Sequence, residues 1–564
     1  MYCQHGFIRQ DLLNAHVNRG CLAVEGQSIR LPKKDDDDIV FKNPHRKYKC
    51  PYVVYGDFEC LTEKMETNKN HDAHDSYTDK YQNHTPTGFN LLVVDDKKNI
   101  VNNILYRGDD CMDVFCQKIS EIENYIMDEL TINNKMIITD EQQIEFDNSN
   151  QCYICNKEIK FNDTKGCKVR DHNHLTGEYR GCAHNVCNLN FNYKDFKIPI
   201  FFHNLKNYDA HLIIKNAHKF EKTTKINVIA QNSEKFITFG FNHIIFKDSF
   251  SFLSSSLDKL VKNNKYIAGD NDKMDMIKQW QNNFKFSNDS KYVNTIEDLD
   301  LLTEKGVYPY DYMDSWGKFN DSQLPPKDDF YSKLTGTHIS DEDYERANNV
   351  WNHFNIKNMG EYHDLYLQTD VFLLADVFEN FRTMCIDYYG LDPSHYYTLP
   401  NSAWDAMLKK TGIVLEHITD LDMYEMLESG LRGGMCQVSH KNVKANNKYL
   451  DNYCEDIVSS YIAYLDANNL YGGAMCQKLP YKDFEWCNDI KNSEHVLNYN
   501  NENNKGFILE VDLEYPKELH DLHSDYPLAP ENIAVSANMV SDFSKDIYKH
   551  YHSGKDVVNE KIKK

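Results

Sequence analysis

Acidic side chains recur where apolar runs of this sequence end. Val53-Val54-Tyr55-Gly56-Asp57-Phe58-Glu59 carries two carboxylates two positions apart. In a strand, the period of two sends both to the same face. Acids leaving an apolar strand are costly to bury unless a cation neutralises them, whereas a solvated strand end holds them without one. Ile200-Phe201-Phe202-His203-Asn204-Leu205-Lys206-Asn207-Tyr208-Asp209 again brings an acid out of an apolar run. Tyr362-His363-Asp364-Leu365-Tyr366-Leu367-Gln368-Thr369-Asp370 sets Tyr366 and Asp370 at i and i+4, on one face of a helix. There the carboxylate can ligate a metal while the phenol orients an attacking water; a solvated loop acid and a solvated helix face are the plain alternatives.

A second chemistry is written in cysteine and histidine. Cys152-Tyr153-Ile154-Cys155 is followed by His184-Asn185-Val186-Cys187. C-x2-C with H-x2-C fits a closed tetrahedral Zn2+ site, against a set of reduced, unliganded thiols. Cys3, His16 and Cys21 have the spacing of the last three ligands of a C-x2-C-x12-H-x4-C finger whose first cysteine would precede Met1. Structural zinc is four-coordinate, so unrelated residues are the other reading of that trio.

Apolar strand signals at Tyr52–Tyr55, Phe89–Val94 and Ile198–His203 must position the acids. A helical pattern near Ala210–Ala217 and long helical periodicity over 340–385 complete the frame, with Val371, Leu374, Val377 and Phe378 on the apolar side. Residues 61–85 read as a polar surface loop, and Lys33-Lys34-Asp35-Asp36-Asp37-Asp38 as a solvated boundary. Tyr464-Leu465 reads as a strand that turns at Gly472-Gly473. Strands alternating with helices argue for α/β and α+β architecture in several domains.

Composition bounds these readings. The chain has 564 residues, 41% of them hydrophobic, enough for several buried cores and incompatible with wholesale disorder. No apolar stretch approaches the roughly 18 residues of a membrane span, and the N-terminus lacks a signal-peptide pattern. The 16 cysteines therefore read as thiols and metal ligands in a reducing, intracellular compartment. With 63 basic and 86 acidic residues the net charge is −23, which argues against a sequence-independent nucleic-acid coat. An enzyme that meets nucleic acid through carboxylate-bound metals is compatible with it.

In order, D-x-E at Asp57 and Glu59, N-x3-Y-D ending at Asp209, and Y-x3-D at Tyr366 and Asp370 resemble the three motifs of the 3′–5′ proofreading exonuclease of family B DNA polymerases. The resemblance implies a ribonuclease H-like domain over 45–385 holding two Mg2+. Asp57, Glu59, Asp209, Tyr366 and Asp370 would be catalytic, and Asn204 and Tyr208 would contact the single-stranded 3′ end. Downstream, Tyr464-Leu465-Asp466-Ala467-Asn468-Asn469-Leu470-Tyr471-Gly472 resembles polymerase motif A, with Asn469 for the usual Ser and Gly472 for the usual Pro. By that resemblance Asp466 would bind the catalytic metals and Tyr471 would pack under the deoxynucleotide sugar, in a palm begun within 386–564. The spelling is similar to protein-primed polymerases of Polinton (Maverick) elements and related viruses, which implies primer-template DNA, deoxynucleotides and a terminal protein primer as partners, in a nucleus or at a viral replication site. Leu431-Arg432-Gly433-Gly434 resembles the Y-x-G-G linker, with Leu431 for its Tyr; an ordinary Gly-Gly turn is the alternative.

Between the two Cys/His pairs, Arg170-Asp171-His172-Asn173-His174-Leu175-Thr176-Gly177-Glu178-Tyr179-Arg180-Gly181 resembles His-metal nucleases of the recombination endonuclease VII type. That likeness covers 151–190 and implies His172 as general base and Asp171 and Asn188 as metal ligands; a zinc-stapled insert without nuclease chemistry is the alternative. Motif B has no match after Tyr471, and every Thr-Asp pair lies upstream of Asp466 without the preceding Asp of a D-T-D motif. The expectation is thus a truncated family B polymerase with proofreading. A stand-alone metal-dependent nuclease and a zinc-stapled DNA-binding protein without enzymatic activity are the competing readings.

Overall fold

A computed structural model describes residues 11, 14, 16–17, 31–32, 38–65, 82–155, 157–160, 167–189, 196–220, 226–232, 234–265, 273–304, 306–333, 335–431, 438, 442–487, 493–498, 504–523, 528, 534–535, 539–551 and 560–561. The chain divides into two units, residues 40–413 and residues 1–39 with 414–564. Residues 386–413 pack with the first unit, where Asp405 accepts from Arg46 at 2.8 Å and from the Tyr396 hydroxyl at 3.0 Å.

The first unit is built on a mixed seven-stranded sheet. Its strands are β1 (Tyr52–Lys64), β2 (Gln82–Asp95), β3 (Ile100–Arg107), β6 (Ile198–Phe202), β7 (Asn227–Ala230), β8 (Phe236–Phe241) and β9 (Ile244–Asp248). Between β3 and β6 an inserted hairpin supplies β4 (Lys168–His172) and β5 (Tyr179–His184). The sheet order is β3-β2-β1-β6-β9-β8-β7, with β6 parallel to both β1 and β9 and the remaining pairs antiparallel. Both faces of β1 are covered, which is why Val53, Val54, Tyr55, Phe58 and Leu61 are all buried in one strand.

Helix α1 (Cys111–Glu129) covers one face with Cys111, Phe115, Ile119, Ile122 and Ile126, a helical stripe that meets Val54, Phe58 and Phe202. The other face meets α5 (Met359–Tyr389), whose Val371, Leu374, Val377 and Phe378 pack with Val53, Tyr55 and Phe201. This helix runs for 31 residues. Asn358 caps its start by accepting from the Glu361 N–H at 3.0 Å, and Gly390, at φ +60°, ends it in the left-handed conformation.

The polar loop expected at 61–85 is strand at both ends. Leu61 is buried, and Thr62, Glu63 and Lys64 pair with His84, Asn83 and Gln82. Thr85 Oγ1 donates to Glu63 Oε2 at 2.7 Å, so hydrogen-bonded cross-strand pairs extend the ladder where the hydrophobic pattern stops. Residues 66–81 and 33–37 lie outside the described residues.

A buried polar network fastens α5 to β1. Arg382 donates to Glu379 Oε1 at 2.5 Å and to Asp392 Oδ2 at 2.6 Å, while the Tyr55 hydroxyl donates to the same Glu379 oxygen at 2.7 Å. Asp392 also accepts from the Cys50 and Ser394 N–H groups, each at 2.8 Å. Arg382, its burial opposed by Asp392 and Glu379, stays charged, and Asp392 is held well below the usual carboxylate range despite its burial. Replacing Arg382 by Met would leave two buried carboxylates uncompensated. Urea melts should show Arg382→Met losing about 3–5 kcal/mol, against less than ~0.5 kcal/mol for Lys118→Met in the exposed Lys118–Glu121 pair. Equal losses would show that the network is not what ties helix to sheet.

Candidate active site and metal-ligand cluster

Tyr55, Asp57 and Glu59 share one face of β1 by strand alternation, and the Tyr55–Glu379 bond shows that α5 covers this face. Four residues of strand from Tyr55 to Glu59 span about 13 Å. Nine residues of helix from Glu379 back to Asp370 span about 13 Å as well. Glu59 and Asp370 thus lie at similar distances along their elements from the Tyr55–Glu379 bond, and the charges of both act on the Tyr366 and Tyr310 phenols. The pairing of β1 with β2 shifts register between Glu59 and Cys60. Glu59, Asp209 and Asp370 are buried and Asp57 is half-buried.

Asp209 arrives by a different device. After β6 the chain turns at Asn204, which adopts φ +68°, a left-handed conformation that asparagine tolerates. The turn is fastened by Asp248 at the end of β9, which accepts from the N–H groups of Asn204 (2.9 Å), Lys206 (3.3 Å) and Phe250 (3.0 Å). Asn207 Nδ2 donates to Asn204 Oδ1 at 2.5 Å, which commits the Asn204 side chain to the turn itself. Asp209 then opens helix α4 (Asp209–Lys215). Its Oδ1 is buried without a hydrogen-bond partner among the described residues. Burial pushes its carboxyl well up, and the charges of Asp57 and Asp248 add to that shift. Tyr208 places its hydroxyl 2.7 Å from His84 Nδ1 and also bonds the Cys60 thiol.

Tyr366 and Asp370 both face inward from α5, as their spacing requires. The Tyr366 hydroxyl lies 3.0 Å from that of Tyr310, and Tyr308 stacks on its ring with centroids 5.1 Å apart. Burial raises both phenols strongly. For Tyr366 the charges of Asp370 and Glu59 add to it, and for Tyr310 those of Glu59, Asp370 and Asp57. Asp57 thus acts on Asp209, and Asp57, Glu59 and Asp370 act together on Tyr310. Asp57 is common to both effects, although no three of these four acids bring ligand atoms within 4.8 Å of one another as the Cys/His cluster of the insert does. The charge of Asp57 beside Asp209 and the unpartnered Asp209 oxygen are features that a divalent cation would relieve.

Tyr310, Asp248 and His84 were not among the residues singled out from sequence. Asp248 ends the apolar run Ile244–Phe246 just as Asp209 follows Ile200–Phe202, so the same reasoning would have found it. Tyr310 and His84 carry no such signal, because each acts from a segment far away in sequence.

The inserted segment gathers Cys152, Cys155, His184 and Cys187, whose ligand atoms all lie within 4.8 Å of one another. His184 Nδ1 lies 3.4 Å from Cys155 Sγ and 3.9 Å from Cys187 Sγ, while its Nε2 lies 3.2 Å from the Glu158 carbonyl. One ring nitrogen faces the sulfurs and the other is held from behind, the arrangement of a metal-ligating histidine. Burial pushes the Cys152 thiol up, but the Cys155, His184 and Ile154 N–H groups outweigh it and bring it down to about 7. These features fit Zn2+. Helix α2 (Asp140–Asn148) precedes this cluster, and β4, β5 and helix α3 (Asn185–Leu189) form a hairpin-and-helix that carries Asp171 and His172 on β4 and Asn188 on α3. Asp171 is buried against Arg180, and the rings of His172 and His174 lie 4.8 Å apart. Of the expected finger ligands, Cys3 and Cys21 lie outside the described residues, and His16 sits in a helical stretch.

A family model for type B DNA polymerases, organellar and viral, matches residues 187–549, more than half of the chain. The chain belongs to that family. No curated protein and no solved structure matches it. Within the matched span of this type B polymerase lie Asp209, Tyr366, Asp370, Asp466 and Tyr471, whereas Asp57, Glu59 and the first three cluster ligands precede it.

The motif A segment differs from its expected form. Residues 461–467 form no strand, and Tyr464 and Leu465 are 96% and 89% exposed. A strand needs ladder partners and a surface against which to bury alternate side chains, and among the described residues of 414–564 the strands are only two residues long. Gly472 and Gly473, expected as a turn, lie in helix α6 (Leu470–Met475), capped by Asn469, which accepts from the Gly472 N–H at 3.1 Å. Asp466 and Tyr471 are exposed. Arg432, Gly433 and Gly434 lie outside the described residues.

Folding raises the Asp209 pKa, so its protonated form stabilises the protein fully below about pH 4, the value of a free Asp, and this is lost as pH rises through the folded value. In chelator, Asp209→Asn should become progressively more stable than the parent between pH 4 and 8. Mg2+ should raise the Tm of the parent more than that of the variant. A difference in Tm that is flat with pH would argue against the burial of this acid beside Asp57.

Proposed function

We propose that this family B polymerase chain carries a 3′–5′ exonuclease of ribonuclease H-like type in residues 40–413, acting on the single-stranded 3′ end of DNA. What supports it is that the charges of Asp57, Glu59 and Asp370 all act on the buried Tyr310 phenol, while those of Asp57 and Asp248 act on buried Asp209, one of whose oxygens is unpartnered. Asp57, Glu59, Asp209 and Asp370 would hold two Mg2+, which when bound supply an activated water and cancel charge on the leaving oxygen. Tyr366, its hydroxyl set by Tyr310, would orient the attacking water. The half-exposed Tyr208, fixed through its hydroxyl by His84, would meet the terminal nucleotide, and Asn204 would shape the turn beneath it. Net negative charge then has a use: the site repels phosphate until cations are present, so binding and chemistry depend on the same ions. Cys152, Cys155, His184 and Cys187 would hold a structural Zn2+.

For synthesis, Asp466 and Tyr471 would serve the incoming deoxynucleotide. Family B chemistry needs a second aspartate for its two metals, and no D-T-D follows Tyr471 in this sequence. A metal-dependent nuclease is the second reading, favoured by the acids of residues 40–413.

Purified chain given a primed template, deoxynucleotides and Mg2+ should shorten the primer, and Asp57→Ala should abolish the shortening with the Tm of the parent retained. Extension that survives Asp57→Ala but disappears in Asp466→Ala would refute the degradative reading of this chain. Elemental analysis should find zinc at about one atom per chain, absent from Cys155→Ser, since three remaining donors leave the tetrahedron open. Zinc retained at full occupancy in that variant would rule out the four-ligand assignment.

A further inference from the structure

The likeness of the insert to a His-metal nuclease requires Asp171 to offer its carboxylate to a divalent cation beside His172. Its surroundings are those of a different role. Asp171 is only 2% exposed, and Arg180 Nε lies 3.0 Å from its Oδ2. Arg180 Nη2 reaches its Oδ1 at 3.3 Å, and the Tyr153 hydroxyl donates to Oδ2 as well. Both oxygens are thus engaged, and a guanidinium already cancels the charge. A cation placed there would meet Arg180 at contact distance and would have to displace Tyr153, so the donor set does not fit a divalent metal.

The same groups reach outward. Arg180 donates to the His172 carbonyl at 2.8 Å and lies over the Tyr48 ring, 4.9 Å from its centroid. Tyr48 and Tyr153 are hydrogen-bonded through their hydroxyls, with rings edge to face at 6.2 Å. Tyr153 stands between Cys152 and Cys155, inside the Cys/His knuckle. Tyr48 stands just before β1, and its carbonyl lies 2.8 Å from His395 Nε2. A continuous chain of contacts therefore runs from the knuckle through Asp171 and Arg180 to the backbone that enters the strand of Asp57 and Glu59.

We infer that Asp171, Arg180 and Tyr153 form an internal clamp that docks the insert onto Tyr48, and that Asp171 is not the metal ligand of a second nuclease. The insert acts as a fixture that holds the approach to β1. Its chemistry is spent on docking.

Hydrogen exchange on the full chain tests this without relying on any activity, so its outcome is separate from that of the exonuclease assay. Asp171→Asn, and Tyr153→Phe in case the first folds poorly, should speed exchange about tenfold at residues 46–51 and 168–184, the change expected on losing a charge-assisted hydrogen bond. Regions remote from the clamp, such as α1, should keep the protection of the parent. In parallel, His172→Ala should leave any Mg2+-dependent nicking of branched DNA unchanged. Unaltered exchange at 46–51 in both clamp variants overturns the inference. So does nicking that His172→Ala and Asp171→Asn each abolish while exchange stays at the parental level.

Discussion

The geometry of the first unit depends on one buried contact, the Tyr55 hydroxyl on Glu379 with Arg382 and Asp392 behind it. Without it, β1 and α5 would be two apolar surfaces able to slide past one another, since hydrophobic burial is non-directional. A charge-assisted network in a dry interface allows one register, because any slip leaves a carboxylate or a guanidinium unpaired. That register holds the strand of Asp57 and Glu59 against the helix of Tyr366 and Asp370. The acids are positioned by a contact that does not include them.

The cost of assembling those acids is visible in their surroundings. Asp209 is forced toward its neutral form by burial and by Asp57, and the phenols of Tyr310 and Tyr366 are raised by the carboxylates beside them. Repulsion of this kind is tolerated where the frame is over-determined. Here Asp248 gathers three backbone N–H groups to fasten the Asn204 turn, and β1, β6 and β9 lie side by side in one sheet. A site strained by like charge and relieved by cations is suited to phosphodiester chemistry, where metals must arrive before the polyanionic substrate can stay.

The insert and the second unit show the opposite balance. In the insert a short hairpin and a five-residue helix bury little apolar surface, and a cluster of sulfur and imidazole donors with an acid–arginine–tyrosine clamp takes the place of a large core. In residues 414–564 no comparable staple exists among the described residues, and apolar side chains such as Tyr464, Leu465 and Tyr471 stay exposed.

Local spacing in the sequence was enough to place Asp57 with Glu59 on one strand face, Tyr366 with Asp370 on one helix face, and Cys152 with Cys155 at one metal-ligand spacing. Each follows from a period or a loop length within a few residues, which the chain cannot escape once the element forms. The element type was legible where burial confirmed it, at β1, β6 and α5. It was misread at 61–64 and 82–85, where polar side chains pair across the ladder, and at Tyr464-Leu465, where an apolar pair finds no ladder to join. Convergence belonged to tertiary structure alone. That Asp209 feels Asp57, that Tyr310 meets Tyr366, that His84 holds Tyr208 and that Arg180 claims Asp171 are contacts between segments or strands whose meeting no local period encodes. The first three are set by how strands and helices pack against the sheet, and the last by how a hairpin folds its second strand back on its first; a sequence pattern specifies which face a side chain takes, and only packing specifies what stands opposite.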